Sequence, residues 1–302
     1  MYLGMQKVAL LTGGTSIERE VALKSSENVR KALEVNYQVE VFDVPMDLDR
    51  FLEARSEFCV AVPVFHGRGG EDGVIQGFLK SLGMPYIFSD VEAHAVGMNK
   101  VTSKVLARAV GLKTADWMVV EPKQAIEWSH PVVIKPVDEG SSIGVSLVRD
   151  AMTLAGIFPS NQRMLVEDLI EGQEFTVAVI EQTHGVMALP VIEIRSKKDF
   201  FDFESKYDPA LCDELCPAPI DEALAQRLKE MALMAHKMIG ARHLSRTDMM
   251  VDQGDNIWFL EINTIPGLTN ASLTPKAITA AGLKLENLLK QWIEDVTKQK
   301  TA

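Results

Sequence analysis

Trp258-Phe-Leu-Glu-Ile-Asn-Thr-Ile-Pro-Gly267 is an apolar run that releases a carboxylate, skips one residue and then offers an amide. Side chains alternate across a strand, so Glu261 and Asn263 leave the same face. Upstream, Arg246-Thr-Asp248 lies in a second apolar segment. If the two segments are neighbouring strands, Asp248, Glu261 and Asn263 make an oxygen-only set suited to Mg²⁺, which accepts few protein ligands and takes phosphate oxygens as the rest. Arg246 adds a fixed positive charge to that face, a combination suited to phosphoryl transfer. The same residues also read as a strand-end cap beside an ordinary Arg246–Asp248 ion pair.

The bulk numbers narrow the class. A chain of 302 residues suggests about two domains on the usual length prior. Hydrophobic content of 47% with 24% charged residues is that of an ordinary globular protein and gives no indication of disorder. A formal net charge of -11 makes the surface repel nucleic acid and anionic membranes on average, so neither is expected as a partner. No apolar run approaches the ~20 residues of a membrane span. The stretch up to Lys7 has neither a charged leader nor a cleavable signal pattern. Cys59, Cys212 and Cys216 cannot build a disulfide framework and fit a reducing, cytoplasmic location. Cys212 and Cys216 have no second Cys/His pair to complete a zinc site.

Along the first ninety residues, short apolar segments (Val8–Thr12, Val39–Val44, Cys59–Phe65, Tyr86–Ser89) alternate with amphipathic runs at 18–35 and 73–82. That alternation predicts a parallel, Rossmann-like α/β sheet. Residues 92–110 read as a linking helix. Closely spaced β-rich runs follow at 117–120, 132–135, 144–148, 164–167 and 175–180, consistent with a small α+β domain. Beyond them come a strand over 188–194, a long polar aromatic stretch at 197–217, a helix over 222–239 and the carboxylate-bearing strand pair. The helix is supported by Leu224, Leu228, Met231, Ala235 and Met238 recurring every three or four residues. The expected division is 1–91, 92–181 and 182–302. The stretch 197–217 is too long for a routine connection and is expected to be a lid that excludes water.

Two further loops carry chemistry. Gly13-Gly-Thr-Ser-Ile-Glu-Arg-Glu20 joins the first strand to the first helix; Thr15 with Glu18 fits a capping box, and Glu18 alternatively holds a substrate ammonium. The G-x-G-x-x-G pattern is absent, which gives a nicotinamide cofactor little support. Lys135-Pro-Val-Asp-Glu-Gly-Ser-Ser-Ile-Gly144 places a lysine at a strand end before a Gly/Ser loop whose N–H groups suit phosphates; a plain hairpin turn is the alternative.

Taken with His66-Gly-Arg-Gly-Gly-Glu-Asp-Gly73 and Glu204-Ser-Lys-Tyr207, these segments run in one order along the whole chain. The sequence resembles the D-alanine–D-alanine ligases, ATP-grasp enzymes of peptidoglycan precursor synthesis. The resemblance implies a Rossmann-like N-terminal domain, a small central α+β domain and a larger α+β C-terminal domain, with ATP clamped between the last two. It implies that Lys100, Lys135 and Ser142 contact ATP phosphates, that Glu167, Asp168 and Leu169 face adenine, and that Glu174 holds the ribose. Asp248, Glu261 and Asn263 would bind two Mg²⁺ or Mn²⁺ ions.

By the same resemblance Glu18 binds the ammonium of the first D-alanine within a group that includes Ser141 and Tyr207, with His66 nearby. Lys206, Ser272 and Leu273 face the second D-alanine, and Arg246 with the Gly267 N–H stabilises the tetrahedral oxyanion. Each has an ordinary alternative: Lys100 and Lys206 as solvated lysines, Ser272 as a helix cap, His66 as a merely hydrogen-bonded histidine. A homodimer is implied too. Rival readings are a depsipeptide ligase that takes D-lactate as second substrate and a non-catalytic ATP-binding regulator. Asn99 before Lys100, where the family usually has aspartate, and Ala271 before Ser272 are departures that leave local loop shape open.

Overall fold

The structure is a computed structural model that describes residues 5–122, 130–140, 143–149, 161–196 and 212–299. Its first sheet is parallel: β1 (Lys7–Gly13) is central, flanked by β2 (Gln38–Val44) and β3 (Val60–Pro63). α1 (Arg19–Glu34) and α2 (Leu48–Ala54) fill the first two connections. The expected fourth strand at 86–89 is only an isolated bridge from Tyr86 to Ala61. Pro85 has no N–H to donate, and Phe88 turns to φ 71, outside the extended region.

α3 (Val74–Ser81) leads to two helices, α4 (Val91–Met98) and α5 (Lys100–Ala109), where one was expected. The break is Asn99. Its backbone is extended and its side chain accepts from Thr102 N–H at 2.9 Å, so it caps α5, the capping work an aspartate would also do.

The second sheet is antiparallel, in the order β4 (Trp117–Val120), β7 (Met164–Asp168), β5 (Val132–Pro136), β6 (Ser146–Val148). The third runs β11 (Cys212–Leu215), β10 (Ile192–Ser196), β8 (Gly172–Gln182), β12 (Leu244–Asp252), β13 (Ile257–Asn263), with β9 (Gly185–Ala188) also on β8. β8 therefore goes with the third sheet, not with the β-rich run that precedes it. The strand expected over 188–194 is two strands, parted at Leu189-Pro-Val191, because proline cannot donate to a ladder. Of the expected lid, 212–215 is strand β11 and 197–211 lies outside the described residues.

α6 (Glu222–Met238) covers one face of the third sheet with Leu228 and Ala232, on a core of Phe175, Val177, Met249 and Val251. α7 (Leu273–Ala280) and α8 (Leu285–Gln299) return elsewhere. Leu288, Leu289, Trp292, Ile293 and Val296 of α8 join the core made by Val8 and Leu10 of β1 and Val29 and Leu33 of α1. The last helix thus closes the first sheet.

Candidate active site

β12 and β13 pair so that Arg246 opposes Asn263 and Asp248 opposes Glu261. Directly opposed residues share a face, so all four side chains stand together. A bulge follows Asp248: Met249 pairs with Phe259, and Leu260 is left over beside Glu261. On the other side Asp248 opposes Thr176 of β8.

Asp248 is buried and fully engaged. Arg246 forks onto it with Nε at 2.9 Å from Oδ1 and Nη2 at 2.9 Å from Oδ2. Thr176 Oγ1 donates at 2.6 Å and Asn263 Nδ2 at 3.1 Å. Burial works against the charge on Arg246, but Asp248, Glu261 and Glu71 outweigh it and raise its pKa.

Two carboxylates and one amide are a fitting donor set for Mg²⁺ that also takes phosphate oxygens. Among the described residues no three His, Cys, Asp or Glu side chains gather to hold a metal by themselves. A cation here depends on Asn263 turning its amide oxygen inward, an exchange of nearly equivalent atoms, and on oxygens brought by a ligand.

Between the second and third sheets opens a cleft of about 590 Å³. Lys100 and Lys135 line it together with Asp248 and Glu261. Glu167, Asp168, Leu169 and Glu174 border it as well. Lys100 Nζ donates to the Glu139 carbonyl and lies 3.6 Å from Glu261 Oε2, which rules out a solvated surface lysine. Lys135 pairs with Glu167, whose other oxygen meets Lys104 at 2.7 Å. Burial pushes Glu167 upward, yet the two lysines prevail and lower its pKa, so it stays ionised. The Asp168 and Leu169 N–H groups already donate to the carbonyls of Asp116 and Pro131. Asp168 also meets His130 Nε2 at 2.8 Å.

Beyond the end of β1 the capping box does not form. Glu18 occupies the N-cap position of α1 with its carboxylate turned inward, 3% exposed, while Ser16 Oγ accepts the Glu18 N–H at 3.2 Å. That carboxylate is wedged between two glycines. A Cβ added at Gly67 would lie 2.7 Å from Glu18 Oε2, and one at Gly140 would lie 2.8 Å from it. The early glutamate therefore meets the loop that follows Lys135.

His66 is buried, with Nε2 3.0 Å from Ser25 Oγ. Burial, then Arg246, lowers its pKa to about 4, so the ring is neutral at pH 7. Glu71 lies 3.9 Å from His66 Nδ1 and accepts the Gly67 N–H at 2.8 Å. Burial, then Glu18, raises its pKa well above the ordinary carboxylate range. Ser25 Oγ also accepts the Leu268 N–H at 3.3 Å, which ties α1 to the segment after Gly267. Ser272 precedes α7 but does not cap it; its Oγ pairs with Thr269 Oγ1 at 2.8 Å and would meet a Cβ at Gly267 at 2.8 Å. Leu273 is buried behind it. Ser141, Ser142, Lys206 and Tyr207 lie outside the described residues.

Four participants were not anticipated: Ser25, Glu71, Lys104 and Thr176. A signal for Lys104 was present, because it falls on the inward stripe of α5 (Lys100, Ser103, Lys104, Ala107), where apolar residues belong. Glu71 lay inside a quoted glycine-rich loop without any feature to separate it from its neighbour Asp72.

Residues 93–294 match the family described as "D-ala D-ala ligase C-terminus". A D-alanine–D-alanine ligase of Syntrophobacter fumaroxidans is 42% identical over 301 residues, covering 95% of this chain and 96% of that protein. The crystal structure of a D-alanine–D-alanine ligase from Bacillus anthracis superposes with a TM-score of 0.83 at 30% identity, covering 98% of each chain. A D-alanine–D-alanine ligase from Bacillus anthracis complexed with ATP gives 0.82 at 28% identity, covering 98% of this chain and 99% of that one.

Proposed function

This chain belongs to the D-alanine–D-alanine ligase family of ATP-grasp enzymes, and from that membership we propose that it joins two D-alanines into D-alanyl-D-alanine while ATP becomes ADP and phosphate. The γ-phosphoryl group passes to the carboxylate of the first D-alanine. The amine of the second attacks the resulting acyl phosphate, phosphate leaves, and an amide remains.

The observation that carries this reading is a convergence. Arg246, Asp248, Glu261 and Asn263 share one face of β12 and β13, the first cleft lysines stand across from them, and the Glu18 carboxylate abuts Gly140 of the Lys135 loop. Lys100 and Lys135, with Ser142, suit the phosphates of ATP. Glu167, Asp168 and Leu169 border the adenine end, and Glu174 suits the ribose hydroxyls. Asp248, Glu261 and Asn263 would hold two Mg²⁺ or Mn²⁺ ions, which when bound neutralise triphosphate charge.

Glu18 takes the ammonium of the first D-alanine within a group that includes Ser141, Tyr207 and the neutral His66. Lys206, Ser272 and Leu273 receive the second D-alanine. Arg246, kept charged by Asp248, and the Gly267 N–H meet the developing oxyanion, a contribution of roughly 3–4 kcal/mol per donor in such sites. The enzyme works in the cytoplasm as a homodimer in this reading.

The test is ADP formation across a panel of D- and L-amino acids with Mg²⁺·ATP, together with a competition between D-alanine and D-lactate. D-Alanine-dependent ADP release with dipeptide as product is expected. ATP turnover indifferent to D-alanine, or an ester as the main product, would overturn the proposal.

A further inference from the structure

Lys104 has no exposed surface at all, although no apolar environment welcomes an ammonium without a partner. Its Nζ meets Glu167 Oε2 at 2.7 Å and donates to Thr114 Oγ1 at 2.6 Å; Thr114 in turn donates to the Phe259 carbonyl at 2.9 Å. The Trp117 ring closes the remaining side, with its centroid 5.4 Å from Nζ. The other oxygen of Glu167 holds Lys135, which lines the nucleotide cleft. One buried carboxylate is thus shared by two lysines, one facing the cleft and one locked behind it.

We propose that Lys104 is the standing counter-ion of Glu167, a positioning residue that leaves Lys135 free to bind the triphosphate of ATP. The inference rests on the reading of Lys135 as a phosphate-binding lysine. With Lys104 in place, Glu167 stays paired whichever way Lys135 swings, and the trio carries one net positive charge toward an incoming anion. With Lys104 neutral, Lys135 becomes the sole partner of a buried carboxylate, and each move toward phosphate strands that carboxylate away from water. The bonds to Thr114 and Glu167, and the Trp117 ring, keep Lys104 from following. Burial pulls the Lys104 pKa below its ordinary value, and Glu167 opposes that pull.

The experiment measures the Kd of Mg²⁺·ATP by calorimetry without D-alanine, the KM for D-alanine separately, and Tm, in wild type, K135M, K104M and the charge-conserving K104R. K135M tests the parent reading: a Kd within twofold of wild type there removes Lys135 from the phosphate site, whatever Lys104 does. For Lys104 the expected result is at least a tenfold weaker Kd in K104M, a D-alanine KM within threefold, and recovery to within threefold of the wild-type Kd in K104R, because a guanidinium keeps a standing positive charge on Glu167. A K104M variant that melts near wild type and binds ATP within twofold overturns the proposal. So does a loss in K104M that K104R shares at native Tm. If K104M fails to fold, K104R decides: ATP binding within threefold of wild type supports the proposal, and a tenfold loss at native Tm refutes it.

Discussion

Gly140→Ala is the sharpest probe of the pocket proposed for the first substrate. Gly140 has no positive φ, so alanine adds a methyl group without backbone strain. That methyl would sit 2.8 Å from Glu18 Oε2 and 3.4 Å from Oε1. The nearer contact is about 0.6 Å inside ordinary van der Waals separation. An exposed glutamate would swing aside at little cost, but Glu18 is only 3% exposed and Gly67 blocks its other flank at 2.7 Å. The carboxylate must shift by about the size of that overlap.

Misplacing a substrate-positioning group by about 1 Å costs up to about a hundredfold in rate, so a shift of this size is expected to lower kcat/KM for D-alanine by roughly 10- to 100-fold. That is about 1.4–2.7 kcal/mol of transition-state stabilisation. The Kd of Mg²⁺·ATP should stay within about threefold, since the added methyl is aimed at Glu18 and Gly140, unlike its neighbour Glu139, does not line the nucleotide cleft. The assay is steady-state ADP release with D-alanine varied at saturating ATP, alongside a thermal melt. Gly77→Ala is the control: it lies in α3, its nearest neighbour would be 3.9 Å away, and alanine there should stabilise the helix by about 0.5–1 kcal/mol without a kinetic effect. A Gly140→Ala enzyme with kcat/KM within twofold of wild type would refute the wedge between Glu18 and the Lys135 loop.

Glu261→Ala is expected to raise the Mg²⁺ concentration for half-maximal activity by roughly tenfold or more; an unchanged metal titration would remove Glu261 from the metal site. His94 and His243, which burial holds down to pKa values of about 3, and His66 at about 4, all lie below the ordinary 6.5. The unfolded chain therefore binds more protons below pH 6.5, so the stability these histidines confer is complete above that pH and is lost as pH falls toward 3. Each contributes a slope of up to about 1.4 kcal/mol per pH unit. Melts from pH 7 to pH 5 should show Tm falling, and a flat profile contradicts the buried neutral rings. Trp292→Ala should destabilise the protein by about 3–5 kcal/mol, because this fully buried indole packs on His243 and donates to the Glu181 carbonyl at 2.9 Å. A denaturant midpoint near wild type would contradict that placement.

Much of the fold was legible wherever a period was clean. β1, α1, α6 and the β12–β13 pair follow from alternation or from apolar residues at three- and four-residue spacing. Failures came where one residue overrode the pattern: Asn99 splitting a helix, Pro190 splitting a strand, Phe88 leaving extended geometry. The grouping of β8 with the preceding strands erred for another reason, since partner choice in a sheet depends on contacts far apart in sequence. At the site, the oxygen set on one face was readable from i, i+2 spacing. The wedge of Glu18 between Gly67 and Gly140 was not, because it depends on three loops meeting. The Lys104–Glu167–Lys135 trio escaped notice because the inward stripe of α5 marks Lys104 as buried but does not name the carboxylate it meets on β7.

The closing role of α8 bears on how the chain is made. The face of β1 and α1 formed by Leu10, Val29 and Leu33 is emitted early in synthesis, but Leu289, Trp292 and Ile293, which cover it, are made only after every described strand of the three sheets. A ribosome-bound nascent chain must therefore carry a bare apolar surface while all three sheets are made, so the emergence of α8, and not the completion of any earlier segment, is the moment at which this core can become watertight.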